Sequence, residues 1–269
     1  MPSPDGRQIA TATSDGTVAI WDPATGTTIR TFGTISPVRS IRWSRDGRRI
    51  AALATRGNVS VWDVGGGLVR EIAKGNFPAT AIAFSNDGKW LARSGEPADT
   101  LFALDGGSDR KLLAAGRQGA ALVVAFSPDD KTVLVAGLGF LSTWDIATAA
   151  QRLRIATDGF TTSAAFFDNG TYIIAGGMDR RIHVWNADSG AELLAFMVPG
   201  GPRKIVIDRN SERVAVLAGR GAMVWTVAAF SGTLDDLRER ARCRLDVEVV
   251  DAHLRAHPID IAACNGVVL

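Results

Sequence analysis

The sequence predicts an all-β fold assembled from repeated units of four antiparallel strands, and two periodic markers predict it. The first is an aromatic residue: Trp21, Trp62, Phe102, Trp144, Trp185 and Trp225, at intervals of 41, 40, 42, 41 and 40. The second is a polar turn ahead of each, ending at Gly6, Gly47, Gly88, Asp130, Gly170 and Ser211, at intervals of 41, 41, 42, 40 and 41. Two independent markers that keep step over six units indicate an internal repeat, because a catalytic motif normally occurs once. Four short strands per unit of this length select a six-bladed β-propeller of four-stranded blades.

The second unit shows the elements in order. "VRSIRWS" (Val38 to Ser44) alternates apolar with polar, as a half-buried strand does. The turn "SRDG" follows, then the apolar run "RRIAALAT" and a tight turn at Arg56-Gly57-Asn58. "VSVWDV" (Val59 to Val64) is the third strand and "LVREIAK" (Leu68 to Lys74) the fourth, after a glycine turn. The Trp supplies a large ring to pack between neighbouring units, with an N–H that needs a partner. Asp and Asn in the tight turns tolerate left-handed backbone and bond their own main chain.

These units resemble WD repeats, as in "SPDGRQIATATSDGTVAIWDPATG" (Ser3 to Gly26) and "FSPDDKTVLVAGLGFLSTWDIATA" (Phe126 to Ala149). The resemblance covers residues 1–230 and is specific because it is periodic. It also shows where the chain departs. The family's Gly-His dipeptide before the innermost strand is absent, and the turn Asp that its His bonds survives only at Asp15 and Asp179. Arg56, Leu138 and Gly219 stand at that position elsewhere, so cohesion is expected to rest on apolar packing between blades. The third unit is the weakest, with Phe102-Ala103 in place of the Trp-Asp pair. Such degenerate repeats resemble the propeller modules of large bacterial multidomain signalling proteins.

The first unit begins at its turn, so its innermost strand is missing. Two readings stand: Ile259 to Cys264, in a tail that resembles the start of the second unit, pairs with Ile9 to Thr13, or the strand lies upstream and the chain is part of something longer. The expected domains are therefore a propeller over 1–232 and an extension over 233–269. In that extension Leu234, Leu237, Ala241 and Leu245 recur at helical spacing after a capping Thr233. A second short helix is expected over Val247 to Ala256, ending before Pro258.

Composition narrows the function. The chain has 30 basic and 28 acidic residues, too balanced to argue for nucleic acid, and no run of basic residues interleaved with aromatics. Two cysteines, Cys243 and Cys264, do not make a disulfide framework. The N-terminus lacks the features of a signal peptide, no apolar run is long enough to span a membrane, and the cytoplasm is the default expectation.

Chemistry is sparse. No nucleophile elbow, phosphate-binding loop or dinucleotide fingerprint occurs. His183 reads as an ordinary strand histidine. His253 and His257 are four apart but lack the cysteine spacing of a metal site, so neither a metal nor another cofactor is expected. Asp129-Asp130 fills a solvated turn. What remains is surface. In the geometry that the resemblance implies, one rim carries Arg39, Arg56, Phe77, Phe160, Met178, Arg180, Arg203 and Arg220, the residue types enriched at binding hot spots. The expectation is a non-catalytic interaction scaffold whose positive rim meets an acidic segment of a protein partner, nucleic acid being a less suitable one. The alternative is a propeller enzyme with its site at the channel mouth.

Overall fold

A computed structural model describes the chain apart from residues 35, 73–78, 96–97, 113–120, 209–212, 220, 227–246, 251–252 and 257–269. Contacts divide it into two compact units, one of residues 1–135 with 143–152 and the other of residues 136–142 with 153–269.

Among the described residues the structure is antiparallel sheet with one turn of 3-10 helix at Asp168–Gly170. The first sheet holds β1 (Ile9–Ala12), β2 (Thr17–Trp21) and β3 (Thr28–Gly33). The second holds β4 (Val38–Trp43), β5 (Arg49–Ala54), β6 (Val59–Asp63) and β7 (Leu68–Ile72). The third holds β8 (Ala79–Phe84), β9 (Trp90–Gly95), β10 (Asp99–Ala103) and β11 (Arg110–Leu112). The fourth is a series of six: β12 (Ala121–Phe126), β13 (Thr132–Asp145), β14 (Gln151–Phe167), β15 (Tyr172–Gly177), β16 (Arg181–Asn186) and β17 (Glu192–Met197). The fifth holds β18 (Pro202–Ile207), β19 (Arg213–Ala218), β20 (Gly221–Thr226), β21 (Val247–Val250) and β22 (His253–Ala256).

Two expectations are corrected. The sheets number five among the described residues, not six. The fourth and fifth units share one sheet because two strands run through the points where breaks were expected. Leu138 stands where Asp15 and Asp179 form tight turns, and β13 continues past it. β14 likewise continues through Thr157 to Gly159. The second correction concerns Val247 to Ala256, which is a β-hairpin, with Val247 paired to Ala222 of β20. The β-branched run Val247, Val249 and Val250 favours extended backbone, and a sheet edge is there to receive it. The helix expected at Thr233 to Leu245, both cysteines and the tail strand Ile259 to Cys264 lie outside the described residues. The first sheet does have three strands. Met1 to Ser3 run antiparallel to the start of β1, with Ala10 N–H donating to Met1 O at 2.8 Å and Ser3 N–H to Gln8 O at 2.8 Å.

The polar turns repeat atom for atom. Ser3, Ser44, Ser85 and Ser127 each donate a hydroxyl to the Asp two residues on, at 2.6 to 2.7 Å. Each serine oxygen also accepts the N–H five residues on, at 2.9 to 3.0 Å. Gly47 turns the chain at φ +71, in the left-handed region that glycine adopts without a Cβ clash. In the fourth unit Asp130 takes that conformation, at φ +54. Its carboxylate accepts Asn86 N–H at 2.8 Å and Asp87 N–H at 2.7 Å, tying the fourth unit's turn to the third's.

Between the turns, the second strand of the second unit is an apolar run. Ile50 to Ala54 are all within 1% of full burial. Each cluster of buried side chains spans consecutive units. One joins Val18, Ile20 and Phe32 to Ile41, Ile50 and Trp62, with Phe32 stacked on Trp62 at 5.1 Å. A second joins Leu53, Val59 and Val61 to Ile82, Leu91 and Phe102. In the other compact unit, Phe167, Ile174 and Val184 pack with Ile205, Val214 and Val216. Trp21 Nε1 donates to Thr11 Oγ1 at 2.7 Å, the partner its indole needs. Arg93 stands at the equivalent position in the third unit. It is 5% exposed, and neither Nε nor Nη2 has a partner among the described residues.

Candidate functional site

The rim residues are placed by the ends of the ladders. In the second sheet Val38 pairs with Ala54, and Thr55 N–H donates to Pro37 O at 2.8 Å. Arg39 and Arg56 therefore come out at the same end of that sheet, both exposed. In the other compact unit, Met178 N–H donates to Phe160 O at 3.0 Å. Gly177 makes this approach: a Cβ there would fall 2.1 Å from Phe160 O, so only glycine lets β14 come so close. Met178 is 69% exposed beside it.

Arg180 follows in a left-handed conformation at φ +61, unusual for a residue with a side chain. Arg180 O accepts Val198 N–H at 2.8 Å, and the arginine stem lies against Gly201. Arg203 is exposed two residues further on. The structure thus brings together Phe160, Met178, Arg180 and the turn leading to Arg203, and separately Arg39 and Arg56. Phe77 and Arg220 lie outside the described residues.

A cavity of about 320 Å³ opens beside Phe160. Asp158, Asp179, His183, Trp185 and Glu192 line it. His183 lies flat on Trp185, ring centroids 5.3 Å apart and planes 7° from parallel. Its Nε2 is 2.6 Å from Asp179 Oδ2 and its Nδ1 is 2.5 Å from Glu192 Oε1. Both contacts are hydrogen bonds when both ring nitrogens carry protons. Asp179 also accepts Arg181 N–H at 3.1 Å, which fixes the carboxylate in its turn.

His183 lies on β16 as a strand residue with both ring nitrogens bonded. It links the turn before β16 to β17. The signal in the sequence was the spacing to Asp179, the one family turn Asp outside the first unit. The rim in this unit is also of mixed charge, since Asp158 and Asp179 adjoin Phe160 and Arg180, where few acids were expected. Among the described residues no group of three His, Cys, Asp or Glu is arranged to hold a metal ion.

A family model, the WD domain, G-beta repeat, matches residues 2–22, 26–63 and 152–186. These segments contain the turn-and-Trp markers of the first, second and fifth units.

The chain carries WD repeats over these three segments.

No curated protein matches the chain. Members of the WD-repeat family generally serve as protein-interaction scaffolds and are typically not enzymes. Among the described residues, no helix of this WD-repeat chain is long and apolar enough to cross a membrane.

Proposed function

We propose that this WD-repeat chain is a non-catalytic docking module that binds an acidic segment of a protein partner through its rim arginines. It works as the recognition part of a larger assembly. The observation that carries the reading is the convergence of Phe160, exposed Met178, Arg180 and the Gly201–Arg203 turn at one end of the ladders. An aromatic and a methionine flanked by arginines suit a partial burial in which charge selects the partner and apolar area holds it. Arg180, held in a sparsely populated backbone conformation, fits a functional position. Arg39 and Arg56 offer a second positive pair on their own sheet.

The His183 geometry weighs against the enzyme reading. With a carboxylate on each ring nitrogen, neither nitrogen is free to take a proton from a substrate. The test is binding of a fluorescent peptide with a central run of glutamates. The intact chain is expected to bind it with an affinity that falls as salt rises. Arg180→Glu combined with Arg203→Glu is expected to weaken binding by about tenfold or more, the cost of losing charged contacts. Equal affinity in the variant would overturn the reading.

A further inference from the structure

We propose that the cavity at His183 receives one organic cation, the guanidinium or ammonium group of a basic side chain carried by a partner polypeptide. The site differs from the arginine rim in charge and in ligand. Three carboxylates line it against a single imidazole, and no Lys or Arg lines it, so its field is negative whether or not His183 is charged.

Its acceptors are only partly used. Asp179 gives its oxygens to His183 and to Arg181 N–H. Glu192 gives Oε1 to His183, which leaves Oε2 for a ligand. Asp158, also in the lining, is exposed and makes no hydrogen bond or ion pair among the described residues. Thr157 lines the same cavity as a residue, and its hydroxyl oxygen is buried without a hydrogen-bond partner. Phe160 adds an aromatic ring to the lining, a group that attracts cations.

Size and rigidity fit one side chain. A volume of about 320 Å³ is at the small end of ligand pockets, and is enough for a long basic side chain but not for a folded element. The His183 bonds to Asp179 and Glu192 pre-set two walls before any ligand arrives.

The test uses the full chain and blocked pentapeptides that differ only in a central Arg, Lys, norleucine or Glu. Binding is followed through the ring resonances of Trp185 and His183. The Arg and Lys peptides are expected to shift both rings in a saturable way, and the norleucine and Glu peptides to leave them unmoved. Asp158→Asn, at an exposed residue without structural bonds, is expected to weaken the Arg peptide about threefold. Adding Glu192→Gln takes the loss to about tenfold or more, as for charge-assisted hydrogen bonds. Arg180→Glu, which removes the rim charge, is expected to leave the Arg peptide bound. Norleucine binding as well as Arg, no shift with any peptide, or undiminished binding to Asp158→Asn/Glu192→Gln would each overturn the proposal.

Discussion

At the scale of single residues, Asp130 shows how a substitution in a repeated turn acquires a new task. The first three turns of its kind end in Gly6, Gly47 and Gly88, which take the left-handed conformation freely. Asp130 takes it under strain, and its carboxylate accepts two backbone N–H groups of the preceding unit's turn, at Asn86 and Asp87, and the Asn86 side-chain amide at 2.9 Å. Asp130→Ala is expected to cost about 1–3 kcal/mol in urea unfolding, because it keeps the strain and leaves donors unpaired. Asp130→Asn, which keeps one acceptor oxygen and tolerates the backbone, is expected to cost less. The sequence showed the turn at Ser127 to Asp130 plainly. It did not show the link, because Asn86 lies 44 residues away.

At the scale of elements, recurring arginines in the outer strands clasp one unit to the next. Arg70 donates to Ala103 O and pairs with Asp109 at 2.7 Å. Arg110 donates to Ile146 O and lies over the Trp90 ring, 4.6 Å from its centroid. The two positions are one repeat apart, so the periodic signal was present in the sequence, but it is masked by the many other surface arginines. Arg110→Met keeps the stem on Trp90 and removes the donor. It is expected to cost about 1 kcal/mol, read as a lowered urea midpoint, since it forfeits a charge-assisted hydrogen bond and a cation–π contact. Apolar packing also joins one unit to the next. Trp62, 5% exposed and stacked on Phe32, sits where the turn network of the family is missing.

At the scale of the whole molecule, the repeated turns make stability depend on acid. In Asp5 the Ser3 hydroxyl and then Arg7 N–H hold the carboxyl below its ordinary value. In Asp46 burial pushes upward, but the bonds from Ser44 and Arg48 N–H outweigh it. Asp87 and Asp129 repeat the pattern of Asp46 and are also lowered. A carboxyl lowered on folding stabilises the folded chain above its unfolded value and loses that contribution as pH falls through the folded one. Stability is therefore expected to be level above about pH 5 and to fall steeply below about pH 4, where unfolded aspartates take up protons. Urea midpoints measured from pH 7 to pH 3 check this, and Ser44→Ala, which frees Asp46, is expected to flatten the fall. By itself the sequence determined the repeat, from its regular spacing, and the strands and turn chemistry of the second unit, because those are set by residues within a few positions of one another. Only the tertiary structure decided that the fourth and fifth units share a sheet, that Val247 to Ala256 is a hairpin, and that His183 lies between Asp179 and Glu192. Each of those depends on which strand edge or side chain the fold brings alongside, and local propensity does not contain that information.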